Sequence, residues 1–345
     1  MFGSSRQLAM DLGTANTVVF VPGEGVVVDE PSVIAVETAN GVDRVRAVGR
    51  DAKLLIGRTG DNIRTMRPLS DGVIKDLELA EQLIRTFIEK ATGGRQLLSR
   101  GPDIAIGIPS LATEVERRVI HAAAINAGAR EVFLIEEPVA AALGAGLPVE
   151  EPVGSMIVDI GGGTTEVGII ACKQATFTTS ERVGGDKMDE AIAAYMRSRY
   201  NLEVGPVSAE RIKHDIGSAA VTDEGRSIIG HIGGREVTTG ALTEIEVSQA
   251  EIAEALGDVV QQIVGVVSGA LGHAGPEIAS DIISHGFVIT GGCALLRNMD
   301  VVLRDATGLP VRVADEPLTS VAVGAARALQ DEQYRTELHA GSGAI

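Results

Sequence analysis

One short pattern occurs twice in this chain, roughly 150 residues apart, and it limits what the chain can fold into. The first copy is Asp11-Leu12-Gly13-Thr14-Ala15-Asn16-Thr17; the second is Asp159-Ile160-Gly161-Gly162-Gly163-Thr164-Thr165. In each, an apolar run ends at an aspartate, glycine and threonine follow, and an apolar run resumes, which reads as strand, tight turn, strand. Glycine lets backbone N–H groups approach a ligand with no Cβ in the way. Successive N–H groups in such a turn make an anion-binding nest. The threonine hydroxyls add donors, and the aspartate adds a charge suited to hydrated Mg²⁺. Taken alone, Met156–Gly168 reads as readily as a loose glycine hairpin as it does a phosphate loop. Two copies in the same order imply a duplicated domain, with each turn holding part of one phosphate chain.

Composition narrows the classes further. A length of 345 residues fits two domains or one large one, and 45% hydrophobic residues suffice for a core. The formal net charge of −17 argues against a nucleic-acid partner, which needs a basic face, and against purely electrostatic adhesion to anionic lipid. Aromatics are 3% and Trp is absent, leaving little for base stacking. Cys172 and Cys293 have no metal-type spacing and fit a reduced, cytoplasmic compartment. The N-terminus has no apolar core of signal-peptide length, and the uncharged run Val259–Pro276 has the spacing of a buried helix. No Gly-x-x-x-x-Gly-Lys-Ser/Thr string occurs, and the central glycines lead into a strand-like run, which excludes a P-loop and a dinucleotide fingerprint.

Taken in order, residues 31–74 read as a small insertion, and Asp76–Ala91 as a helix closed by Gly93-Gly94. Leu97 and Leu98 stand together in a polar loop, either folded back locally or exposed for a partner. Thr113 and Glu116 form a capping box. Glu136-Glu137-Pro138 ends a strand before a small-residue helix; an acid there serves the helix dipole as readily as catalysis at an α/β crevice. Val183-Gly184-Gly185-Asp186 opens a helix to about Tyr200, a turn suited to phosphate or ribose. Ser208 is expected to cap the next helix and Gly233-Gly234 to turn a hairpin in a second insertion. Ser248 and Glu251 make another capping box, Gly291-Gly292-Cys293-Ala294 is expected to open a helix to about Asp305, and the tail from Asp331 is expected to fray.

This order of motifs resembles the actin, heat-shock chaperone and sugar kinase ATPase superfamily, and within it the MreB family of bacterial actins. The superfamily resemblance rests on Asp11–Thr17, Ile135–Gly146, Met156–Val167, Thr290–Leu296 and the small-residue helix Ser320–Gln330. The closer one adds Arg67-Pro68-Leu69, Asp71–Ile74, Glu116-Arg117-Arg118, Gly128–Val132 and Ala209–Lys213, and covers nearly the whole chain. It implies an α/β actin-like duplicated ATPase fold with nucleotide in the cleft: domain I of residues 1–146 with 315–345, carrying insertion 31–74, and domain II of residues 147–314, carrying insertion 205–247. It implies ATP and Mg²⁺, with Asp11 and Asp159 holding the hydrated ion. Gly13, Thr14, Ala15, Asn16, Gly161, Gly162 and Gly163 would line the phosphates. Glu137, helped by Thr164, would orient or activate the attacking water. Glu210 and Lys213 would meet ribose or adenine, with Gly184, Gly185, Gly291, Gly292 and Cys293 around the nucleoside.

The same resemblance implies a self-assembling filament with slow ATP hydrolysis, peripheral at the inner membrane, working with membrane proteins of the elongation machinery to organise cell-wall synthesis. Met1, Phe2, Leu97 and Leu98 would touch lipid. Two leucines give about 1.5–3 kcal/mol each if fully buried, enough only when a filament repeats the contact. The chain departs from the family at Cys293, where a third glycine is usual, and at His214, where Lys or Arg is commoner. Its second insertion is short and glycine-rich, and only Met1 and Phe2 precede Gly3 where relatives carry an amphipathic helix. A soluble small-molecule kinase of the same fold is the alternative, though no further acid is evidently placed as a base for a substrate hydroxyl. A chaperone would need a peptide-binding domain, for which the 345 residues leave no room.

Overall fold

The computed structural model describes residues 6–70, 72–94 and 101–342; Met1, Phe2, Leu97 and Leu98 lie outside the described residues. The first half runs β1 (Gln7–Leu12), β2 (Asn16–Val21), β3 (Gly25–Pro31), β4 (Ile34–Ala39), β5 (Val42–Val48), α1 (Arg50–Lys53), β6 (Ile63–Met66), β7 (Leu69–Ser70), β8 (Val73–Ile74), α2 (Leu77–Thr92), β9 (Asp103–Ile108), α3 (Glu114–Asn126), β10 (Glu131–Glu136) and α4 (Glu137–Gly144). The second runs β11 (Ser155–Ile160), β12 (Thr165–Ala171), β13 (Gln174–Glu181), α5 (Gly185–Tyr200), β14 (Leu202–Glu203), α6 (Pro206–Ile216), β15 (Ile229–Glu236), β16 (Leu242–Ser248), α7 (Gln249–Leu271), α8 (Pro276–His285), β17 (Phe287–Thr290), α9 (Met299–Thr307) and β18 (Val311–Val313), followed by α10 (Ser320–Gln330) and α11 (Glu332–Ser342).

The duplication is carried by the sheets. One has the order β10-β9-β1-β2-β3 and the other β13-β12-β11-β17-β18. In each, three antiparallel strands form a meander whose first strand pairs in parallel with a later one: β1 with β9, and β11 with β17. Small sheets, β5-β4-β6 in the first half and β14-β15-β16 in the second, are built from the segments between meander and parallel strands.

Alternation along β1 and β11 sends side chains into different cores. Leu8, Met10 and Leu12 pack with α2 and α3, whereas Ala9 faces a middle core. Met156, Val158 and Ile160 pack with α5 and α7, whereas Ile157 faces the same middle core. Both faces of these strands are covered, which explains their near-continuous apolar runs. Between the sheets lie α4 and α10, both rich in alanine. A Cβ on Gly324 would collide with the Ala140 carbonyl, and one on Gly144 with that of Ser320, so glycine is what lets these helices touch backbone to backbone. The Ser320–Gln330 helix therefore returns the chain to the first half, against α4 and β1.

Local expectations fare unevenly. Thr113–Glu116 and Ser248–Glu251 are full capping boxes, and Gly93 closes α2 in the left-handed conformation. Ser208 does not cap: α6 starts at Pro206, whose fixed φ suits the first helical position, with Gly205 at the cap. Gly233 and Gly234 are not a turn but lie within β15, opposite Glu244 and Thr243. A Cβ on Gly234 would stand 2.5 Å from the Glu203 carbonyl oxygen, so the glycine admits β14. Gly291–Ala294 leads into a short 3₁₀ turn, Gly292–Leu295, and the α-helix begins only at Met299. Among the described residues of the tail, Glu332–Ser342 form α11 instead of fraying, with Tyr334 buried; residues 343–345 lie outside the described residues.

Candidate nucleotide site

Each acidic turn is braced by a buried hydroxyl. Ser32 Oγ donates to the Gly13 carbonyl (2.6 Å) and pairs with Thr17 Oγ1 (2.8 Å), while Ser32 N–H donates to the Ala15 carbonyl (2.9 Å). In the second turn, Thr165 Oγ1 donates to the Val183 carbonyl (2.7 Å), and Gly161 N–H to the Thr164 carbonyl (2.9 Å). Asp11 lies opposite Gly107 of β9, and Asp159 opposite Thr290 of β17, so equivalent parallel strands flank the two acids. Gly291 has a φ of +82°, and a Cβ there would strike Asp159 Oδ1, which makes glycine obligatory beside the acid.

The turns face one cavity of about 490 Å³ between the halves. Its lining brings together Asp11, Gly13, Thr14, Ala15, Asn16, Glu137, Asp159, Gly161, Gly162, Gly163, Thr164, Gly185, Glu210, Lys213, Gly291, Gly292 and Cys293. The two turns nearly touch: a Cβ on Gly162 would sit 2.6 Å from that of Ala15. Gly184 is not in the lining. It underlies the second turn, where a Cβ would meet the carbonyls of Gly161 (2.5 Å) and Gly162 (2.9 Å). The first N–H groups of α5, at Gly185 and Asp186, are also spent on those two carbonyls (3.0 and 2.8 Å). This helix start holds the turn and does not present its first donors to a ligand.

Four acids crowd this end of the cavity, Asp11, Glu137 and Asp159 in its wall and Glu166 behind it. Burial pushes Asp11 up to about 7; burial and then the Asp11 charge do the same to Asp159. Glu137 is raised well above the ordinary range by burial, then by the charges of Glu166, Asp11 and Asp159. Glu166 is pushed up to about 7 chiefly by burial, against hydrogen bonds from Ser180 and Ser110. Crowded carboxylates of this kind favour protons or a cation. Among the described residues no cluster of three or more His, Cys, Asp or Glu forms an all-protein metal cage. Two aspartates beside a glycine nest instead suit Mg²⁺, which takes one or two carboxylates together with substrate phosphates.

At the other end Lys213 and Glu210 are held by Asp189 and Lys53, partners that their spacing in the sequence does not reveal. Lys213 Nζ donates to the Gly185 carbonyl (2.9 Å) and pairs with Asp189 (2.8 Å), so it is anchored to α5. Glu210 is held across the cleft by Lys53 (2.7 Å), and Asp186 by Arg67 (2.6 Å). Leu295, Leu296 and Leu318 add apolar wall, suited to a flat ring. Cys293 Sγ donates to the Gly161 carbonyl (3.3 Å), and burial pushes its thiol up to about 11, so it is a neutral prop for the turn.

A duplicated meander sheet with an acidic glycine turn in each half narrows the comparison to one group of proteins. The profile of the MreB/Mbl protein family matches residues 5–337. This chain belongs to the MreB/Mbl family. It is 49% identical over 328 residues to the cell shape-determining protein MreB of Escherichia coli strain K12, covering 94% of each chain. It is 40% identical over 320 residues to the cell shape-determining protein Mbl of Bacillus subtilis strain 168, covering 93% of this chain and 94% of the other. Its fold, actin-like, superposes on the crystal structure of MreB5 of Spiroplasma citri bound to ADP with a TM-score of 0.88, at 34% identity, over 97% of this chain and 98% of that one. The AMPPNP-bound MreB5 gives 0.88 at 33% identity, over 98% and 99%. A MamK double helical filament gives 0.78 at 18% identity, over 94% and 99%, a likeness of fold.

Proposed function

We propose that this chain is a bacterial actin that binds ATP with Mg²⁺ between its halves, assembles into filaments and hydrolyses the nucleotide slowly, in the service of cell shape. The observation that carries the reading is the pair of acidic glycine turns facing each other across one cavity. It agrees with the ADP and AMPPNP bound to MreB5 and with the cell-shape names of the relatives. The kinase alternative loses ground to those names.

Asp11 and Asp159 would hold Mg²⁺, which supplies charge neutralisation at the phosphates. Backbone N–H groups of residues 13–16 and 161–163 would cradle the phosphate oxygens. Glu137 and Thr164, both at the cavity wall, would orient the attacking water, and Glu137 would take its proton. Glu210, Lys213 and the leucine wall would receive ribose and base. Phosphoryl transfer asks mainly for positioning and charge neutralisation, which this lining is built to give. The domains would be residues 1–146 with 315–345, and 147–314, closing on the nucleotide.

No helix among the described residues is long and apolar enough to cross a membrane. We assign any membrane attachment to peripheral contact by Met1, Phe2, Leu97 and Leu98, multiplied along the filament, with membrane proteins of the wall-elongation machinery as partners. The deciding experiment is sedimentation with ATP and Mg²⁺ as a function of concentration. Pelleting above a threshold concentration supports the filament, and a protein still monomeric at tens of micromolar refutes it.

A further inference from the structure

Glu166, the residue after Thr165, has unusual surroundings. Glu166 lies on β12, opposite Asp159 on β11 and Ser180 on β13, and is 1% exposed. Its Oε2 accepts the backbone N–H of Ser110 at 3.1 Å, across 56 residues of sequence. Ser110 follows β9 in the first half, so this buried bond joins the two halves. Glu166 Oε1 and Ser110 Oγ are also buried, and among the described residues neither makes a well-formed hydrogen bond, although the Ser180 and Ser110 hydroxyls stand near enough to pull the carboxyl's pKa down. A buried carboxylate with only part of its bonding capacity used costs stability, so packing alone does not account for it.

The two ends of the bond are attached to the two proposed water-orienting groups. Thr164 is two residues before Glu166 in the chain. On the other side, Ser110 lies two residues past the end of β9, whose Gly107 packs under Glu137: a Cβ there would lie 3.4 Å from Glu137 Cγ. Pro109 in the same loop presses on Gly72, whose N–H donates to Thr14 Oγ1 at 3.2 Å. We propose that Glu166 is a positioning residue for hydrolysis: by accepting the Ser110 N–H it clamps β12, the strand that Thr164 immediately precedes, to β9, the strand that supports Glu137. This rests on the assignment of Glu137 and Thr164 above. The clamp works through hydrogen-bond acceptance, not charge, so a neutral acceptor of the same shape preserves it. A displacement of about 1 Å between reacting groups costs on the order of 100-fold in rate, which sets the scale of its loss.

The test compares wild type, E137A, E166A and E166Q by single-turnover phosphate release with ATP and Mg²⁺, alongside affinity for a fluorescent ATP analogue. Expected for E166A are a fall in release of about 10- to 100-fold, analogue affinity within about twofold, and faster amide exchange at Ser110. E166Q is expected to restore release and exchange protection, because its carbonyl oxygen accepts the same N–H. Release by E166A at the wild-type rate overturns the clamp, as does E166Q as slow as E166A, which would make charge the operative property. Should E137A release phosphate as fast as wild type, the assignment of Glu137 fails, and the clamp with it. A normal E137A defect beside an undiminished E166A removes the clamp alone.

Discussion

The near-contact of the two glycine turns makes Gly162→Ala a sharp probe of the site. A methyl group on Gly162 would stand 2.6 Å from Ala15 Cβ, with Ala15 N at 3.3 Å and Ala15 Cα at 3.5 Å. Carbon atoms in contact prefer about 3.5–4.0 Å, so the turns must separate by about 1 Å. Gly162 has no positive φ, so alanine fits its backbone and the whole penalty is steric. Overpacking of this size costs about 1–3 kcal/mol. If that cost falls on the arrangement that grips phosphate from both sides, affinity for ATP with Mg²⁺ drops about 5- to 150-fold. The nearest clash is with the Ala15 methyl, so A15G in the G162A background should recover most of the loss. Titration of a fluorescent ATP analogue against the four proteins gives the coupling directly. Wild-type affinity in G162A, or no recovery in the double variant, would mean that the turns do not close on one ligand.

E137A should keep analogue affinity while phosphate release falls about 10²- to 10⁴-fold, the range for loss of a positioned base; quenched-flow phosphate release checks it, and an unchanged rate removes Glu137 from the role. Burial, with the Asp11 charge acting on Asp159, pushes the carboxyls of Asp11 and Asp159 up to about 7, above the usual carboxylate range. These folded-state values are raised, so their contribution to stability is full below about pH 4 and is lost as pH rises through about 7. Binding of ATP with Mg²⁺ favours the ionised forms and should release on the order of one proton at pH 7, read by calorimetry in buffers of different ionisation enthalpy. Release should vanish by pH 9, and none at pH 7 would refute the assignment of these acids. Replacing Leu97 and Leu98 by Ser should lower liposome co-sedimentation of filaments without altering pelleting, whereas equal binding would favour a locally packed loop.

What the sequence yields and what it hides divide by distance along the chain. Both acidic turns, both capping boxes and the Gly93 cap are set by neighbours within a few residues, so composition and spacing expose them. Gly184 misleads because a glycine needed to let a turn lie against a helix start looks the same, in sequence, as one needed by a ligand. Gly233-Gly234 misleads for a related reason: the close approach of β14 asks for glycine where a hairpin turn would. The partners of Glu166, Glu210 and Asp186 are 56, 157 and 119 residues away, and no periodicity records them. Glu166 stood inside the most informative stretch of the chain; only the bond to Ser110 distinguishes it from an ordinary strand residue.

Those long-range bonds also set how strongly a nucleotide can be felt by the rest of the molecule. Lys53–Glu210 and Arg67–Asp186 cross the cleft with side chains 22–33% exposed. Pairs of that exposure contribute about 1 kcal/mol or less each. Glu210 and Asp186 both line the cavity between the halves, so a ribose hydroxyl that used Glu210 as proposed would compete with Lys53 for the same oxygens. The middle core of α4 and α10, by contrast, is tightly packed and joins both sheets. With weak ties at the mouth and a packed core at the base, the angle between the halves is expected to be the soft coordinate. A few kcal/mol of nucleotide contact is enough to shift it, the size of an ordinary coupling energy between two sites. A longitudinal filament contact that spans both halves would read that angle and nothing finer.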